Sequence, residues 1–142
     1  MEEGSFIIDV TAKADPDARD AILSGLLGFN EEQAGPVRLL PLNVLLRDNE
    51  GKAVGGLWGE TYFSWLFVGL FYIPPALRLR GLGSRLLNAA EAEARKRGCI
   101  GAWLDTFAFQ APGFYERLGY ERFARLDDFP PGHSRIFFTK TL

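Results

Sequence analysis

The chain has 142 residues, 47% hydrophobic and 24% charged, with a net charge of −2. That length supports one domain around one core (residues 1–142), and the mild acidity argues against a dedicated binder of nucleic acid or anionic membrane. Met1-Glu2-Glu3 lacks the basic start of a signal peptide, and the single cysteine, Cys99, excludes an internal disulfide, so a cytoplasmic location is expected.

Residues 5–10 (SFIIDV) read as a first strand. Asp15-Pro16 then opens a helix, with Asp as N-cap and Pro at the first helical position. That helix should turn Ala18, Ile22, Leu26 and Leu27 inward and end near Gly28, with one further turn within residues 30–36. Residues 39–46 and 52–62 read as strands joined by the polar turn at residues 47–51.

Residues 65–73 are almost unbroken hydrophobic and rich in aromatic and β-branched side chains. Nine residues are too few to span a bilayer, so the stretch is expected to be a strand buried on both faces. Pro74 and Pro75 cannot donate to a ladder and should end it where neighbouring strands part.

A helix follows, with Leu82, Leu86, Ala90 and Ala94 at helical spacing and Leu87 beside them. Arg85, Asn88, Glu91, Arg95 and Lys96 are expected on its solvent face, and Gly98 after the last cationic turn is a C-terminal stop. Residues 99–106 should form the strand that the helix crosses to, beginning at a buried, structural Cys99. A short helix at residues 111–118 and two closing strands, 120–125 and 134–140, complete the chain. The loop between those strands carries His133, the only histidine and an expected surface residue.

The chemistry is concentrated where the hydrophobic strand gives way to the helix. Arg78, Gly81 and Gly83 make an R-x-x-G-x-G pattern over the helix's first turn. The first four amides of a helix lack internal partners, and the macrodipole adds about half a positive charge there. Glycine lets a phosphate approach those amides closely, and Arg78 and Arg80 add mobile charge. A P-loop would need Lys-Ser/Thr after the last Gly, where Ser84-Arg85 stands. A dinucleotide fingerprint would need a small residue at Leu86 and a strand running straight into the first Gly.

The pattern resembles motif A of the GNAT superfamily of acyl-CoA-dependent N-acetyltransferases, which grips the pyrophosphate of coenzyme A. A second segment, Phe114-Tyr115-Glu116-Arg117-Leu118-Gly119-Tyr120, resembles motif B of the same family. The two occur in the family's order over roughly residues 37–142. The family's Asn seven residues before the motif-B Tyr is Ala108 here, and Gln110 is the nearby amide.

The resemblance implies an α/β (α+β) fold. It has one mixed, mostly antiparallel sheet of six to seven strands, a central splayed parallel pair, and helices on both faces. It implies acetyl-CoA as the cofactor, gripped by Phe71, Tyr72, Ile73, Arg78, Leu79, Arg80, Gly81, Leu82, Gly83, Ser84, Gln110, Phe114 and Tyr115. The activity implied is acetyl transfer to a primary amine by direct attack in a ternary complex. An amide of the core strand facing the thioester oxygen would contribute roughly 2.7–4 kcal/mol to that step.

Tyr115 is the implied general acid. The general base stays open between Glu60, Asp105 and a water-relayed proton, because no acidic residue lies within residues 63–73. The acceptor is a small-molecule or peptide amine that the sequence does not identify. No nucleic-acid or membrane partner is expected, and no His/Cys/Asp cluster has metal-ligand spacing. Twelve Phe, four Tyr and three Trp leave room for a homodimer contact, common in that family. Two other readings are an acyl-CoA sensor without turnover and a protein-interaction domain with exposed aromatics.

Overall fold

A computed structural model describes residues 4–142. Met1-Glu2-Glu3, read above as the wrong start for a signal peptide, lies outside the described residues. By contacts the chain divides into two compact units, Met1–Val37 and Arg38–Leu142.

The first unit holds one helix, α1 (Pro16–Ala34), in which Asp15 Oδ1 accepts the Ala18 amide at 3.0 Å. The N-cap follows from the Asp-Pro pair, whose Pro has no amide to leave orphaned. Three expectations are corrected here. The helix does not stop near Gly28 but absorbs residues 30–34, ending at Gly35, whose φ of 81° suits a residue without Cβ. Its apolar side chains do not turn inward, since none of its residues is buried. Residues 5–10 are not a strand either, for Phe6, Ile7, Ile8 and Val10 are exposed and have no ladder partner among the described residues. Alternation and apolar character favour an extended backbone, but a strand also needs a neighbour to bond with.

The second unit is built on one six-stranded sheet in the order β1-β2-β3-β4-β6-β5. The strands are β1 (Leu40–Arg47), β2 (Ala53–Tyr62), β3 (Trp65–Tyr72), β4 (Gly101–Phe107), β5 (Glu121–Asp127) and β6 (Ser134–Thr141). Only β3 and β4 are parallel. The crossover between them is α2 (Leu82–Lys96), which packs on β1, β2 and β3. The expected mixed, mostly antiparallel sheet is thus observed, with six strands. Leu57, Leu66, Leu87, Leu104 and Phe138 are each under 2% exposed at its centre. Burying a side chain of that size contributes about 1.5–3 kcal/mol.

Three further expectations change. The core strand β3 is not buried on both faces. Leu66 and Val68 are buried under α2, whereas Leu70 and Tyr72 are more than half exposed. Nor do Pro74 and Pro75 mark the parting of the central strands. Trp58 pairs with Leu70 and Gly59 with Val68, so Gly69 bulges out of register, and the β3–β4 ladder stops at Val68↔Leu104. A residue without a side chain adopts a bulge at little cost, and it sits three residues ahead of the strand end.

The third correction is Glu91, which is not on a solvent face but 2% exposed. Its Oε1 accepts from Lys140 Nζ at 2.8 Å and its Oε2 from the Tyr120 hydroxyl at 3.0 Å, with Arg95 3.6 Å away. Burial first, and the Glu91 charge second, push the Tyr120 phenol well above its ordinary range. Cys99 is buried as expected but precedes β4 by two residues, and burial raises its thiol above the usual range.

Candidate active site

The Gly69 bulge and the early end of the β3–β4 ladder open a V in the sheet. Beyond Val68 the edge of β3 that faced β4 has no strand partner, so its amides and carbonyls point into the gap. A cleft of about 1000 Å³ fills that gap.

At one end stands the loop from β3 to α2. Pro75–Leu77 forms a 3₁₀ turn, which Arg78 Nε braces by donating to the Ile73 carbonyl at 2.8 Å. The Arg78 guanidinium also lies 5.8 Å from the centre of the Tyr72 ring. Gly81 caps α2 in the left-handed region, φ 73°, and supplies no side chain to its first amides. The first amide bonded back into the helix is that of Arg85, at 3.2 Å from the Gly81 carbonyl. The amides of Leu82, Gly83 and Ser84 are therefore open donors at a positive helix end. Gly83 also fits closely: the Phe114 ring would have to shift slightly to admit a Cβ there, which would sit 3.1 Å from it. Its absence brings α3 (Pro112–Arg117) against the start of α2.

The opposite wall comes from β4 and α3. Gln110 Oε1 accepts from Thr106 Oγ1 and from the Phe107 amide, both at 2.9 Å, closing the turn after β4, and the residue lines the cleft. Tyr115 is 7% exposed and wedged against Phe71, Phe114, Tyr120 and Phe138. Its hydroxyl has no hydrogen-bond partner among the described residues, yet it is not sealed from solvent, so it opens on the cleft. Burial first, and the Asp105 charge second, push this phenol up to about 12. Asp105 lies in the same cleft, and its Oδ1 accepts from Arg135 Nε at 2.8 Å and Nη2 at 2.6 Å.

Of the residues expected at the site, the cleft brings together Phe71, Tyr72, Ile73, Arg78, Leu79, Gly81, Leu82, Gly83, Ser84, Asp105, Gln110, Phe114 and Tyr115. Arg80 and Glu60 are not among its lining residues. Arg80 is exposed on the loop, and Glu60 lies on β2 opposite Phe67. Two cations of the lining were not anticipated, Arg117 and Arg135. Arg117 stood inside the motif-B segment, where an arginine between motif residues reads as a solvated helix position. Arg135 carries no local signal, since Asp105 lies thirty residues earlier.

An uncapped helix end with an adjacent arginine, joined by a strand edge to a buried phenol and a carboxylate, fits a long phosphate-bearing acyl donor. This defines an acyltransferase. Residues 15–120 match the family model described as acetyltransferase (GNAT) family, and the chain belongs to that family. An acetyltransferase of Agrobacterium fabrum is 38% identical over 127 residues, 89% of this chain and 93% of that protein. A blasticidin-S acetyltransferase of Streptomyces morookaense is 46% identical over 93 residues, 65% of this chain and 68% of its own length. The crystal structure of an acetyltransferase from Bacillus cereus superposes with a TM-score of 0.82 at 30% identity, covering 94% of this chain and 98% of that one. Acetyltransferases of this family use acetyl-CoA.

Proposed function

We propose that the protein transfers the acetyl group of acetyl-CoA to a primary amine of a small molecule by direct attack within one ternary complex. The observation that carries this reading is the placement of two unspent groups in one cleft with the open helix end: the Tyr115 hydroxyl and the second carboxylate oxygen of Asp105. The printed name of the Streptomyces relative supports a small-molecule acceptor of antibiotic type.

When bound, acetyl-CoA supplies the acetyl group as an activated thioester. The amides of Leu82, Gly83 and Ser84, with Arg78 beside them, hold its diphosphate. The free edge of β3 beyond Gly69 would offer backbone groups to the extended arm, and one of its amides would serve as a donor to the thioester oxygen as it gains charge. Asp105 takes the proton that the acceptor ammonium must lose, directly or through one water. A nitrogen–carbon bond then forms as the carbon–sulfur bond breaks, and the nitrogen gives up its second proton to solvent. Tyr115 donates to the departing sulfur. A phenol at about 12 remains protonated at neutral pH, so the donor is always loaded, while complete transfer to a thiolate near 8.5 is uphill. Tyr115 therefore works first as a hydrogen-bond donor to the sulfur, and solvent completes the exchange.

The test is acetyl-CoA-dependent thiol release across classes of small amines. Turnover with at least one class, lowered in Tyr115→Phe and nearly lost in Asp105→Asn, is the expected result. Thermal stabilisation by acetyl-CoA with no thiol release from any amine would instead assign the chain to binding without turnover.

A further inference from the structure

The wall of the cleft built from β4 and β6 carries a carboxylate and a guanidinium side by side, each half used. Asp105 spends Oδ1 on Arg135, and Arg135 spends Nε and Nη2 on that same oxygen. Among the described residues Asp105 Oδ2 and Arg135 Nη1 have no partner, and both side chains line the cleft, 19% and 31% exposed. The exposed Arg122–Glu116 pair has the same one-oxygen geometry but lines no cleft, so what sets the Asp105–Arg135 pair apart is its place in the cleft wall.

The guanidinium is also held in place. Its carbon lies 5.7, 5.1 and 5.5 Å from the ring centres of Phe107, Phe129 and Phe137, so it is fixed among aromatic faces. Holding a guanidinium this way lowers the entropy lost when a ligand takes its remaining donor. Asp105 lines the same cleft as Tyr115, the residue at the proposed point of reaction.

We infer that the acceptor is an amino-carboxylate, a molecule whose reacting amine lies within a few bonds of a carboxylate, as in an α- or β-amino acid. Its ammonium sits on the free oxygen of Asp105 and its carboxylate on the free Nη1 of Arg135. The protein's two charges and the acceptor's two charges then close into a four-membered alternation, with no net charge brought into the cleft. Arg135 is thus a specificity-determining residue that touches the acceptor but not the acyl donor. The inference rests on the acetyltransferase reading proposed above.

The experiment compares matched acceptors on the full chain: proteinogenic α-amino acids and β-alanine, their carboxamides, and the corresponding amines lacking the carboxylate. Binding of acetyl-CoA is measured separately by calorimetry. We expect kcat/KM for the preferred acid to exceed that of its amide and its decarboxylated amine by roughly tenfold or more, the worth of one charge-assisted hydrogen bond. Arg135→Gln should bring that ratio close to one without changing acetyl-CoA affinity, and Arg135→Lys should restore part of it. Thermal melting checks that the variants fold, and the wild-type ratio tests the inference without them. Acids, amides and amines used equally by the wild type would overturn it, as would acetyl-CoA binding with no acid acetylated, or discrimination that survives Arg135→Gln. Loss of acetyl-CoA binding by the wild type would instead refute the underlying enzyme reading.

Discussion

Of the carboxylates that meet cations in this protein, Glu91 and Asp105 do opposite things. Glu91 spends both oxygens, on Lys140 and Tyr120, and is 2% exposed. Asp105 spends one oxygen on Arg135 and keeps the other open to the cleft. Both pairs link elements far apart in sequence, so neither distance nor charge separates them. Saturation does. A carboxylate with every acceptor site committed can only hold structure, whereas one with a free oxygen facing a cavity is available to a ligand.

That contrast can be broken by paired substitutions. Glu91→Ala leaves the Lys140 ammonium and the Tyr120 hydroxyl without their shared acceptor, and should cost about 3–5 kcal/mol in urea unfolding. Asp105→Ala should leave most of the stability in place and lower kcat about 10²–10⁴-fold in a thiol-release assay. Equal stability losses for the two variants would erase the distinction. Next in size, Gly81→Glu puts a carboxylate on the cap of α2, where φ is 73°. It should weaken acetyl-CoA binding by roughly 100-fold by calorimetry, through like-charge repulsion and a strained backbone. Tyr115→Phe removes only a hydroxyl. It should lower kcat about tenfold to 100-fold while acetyl-CoA affinity holds within about twofold.

The smallest effect is on stability at high pH. The folded chain holds the Tyr115 proton up to about 12, whereas an unfolded tyrosine releases it near 10.0. The unfolded state therefore binds fewer protons across that window, and stability falls as pH rises through it. Tyr120, also raised, acts in the same direction. Melting temperatures taken from pH 9 to pH 12 should decline, and less steeply in Tyr115→Phe. A flat profile would mean that both phenols titrate freely.

Much of the site was legible because its signals are local. Arg78, Gly81 and Gly83 sit within six residues, and the helix they open is marked by Leu86, Leu87, Ala90 and Ala94, all buried as the periodicity requires. Tyr115 and Gly119 lie in one short motif that ends in a glycine at φ 92°. What stayed hidden depends on partners brought in by the sheet. Glu91 reads as a solvent residue on the helical wheel, and only the return of β6 puts Lys140, forty-nine residues later, against it. Arg135 reaches Asp105 through the antiparallel register of β4 and β6. Residues 5–10 show the reverse failure. Their pattern permits a strand, but pattern cannot supply the neighbouring strand that makes one.

The bulge at Gly69 has a mechanical consequence. Only four residue pairs, from Trp65↔Gly101 to Val68↔Leu104, stitch the two halves of the sheet together. An extended ligand lying along the unzipped part would act as a borrowed strand, so occupancy and the cohesion of the two halves rise together. The amides of Gly69, Leu70 and Phe71 should then be the ones whose hydrogen exchange slows most when acetyl-CoA is added.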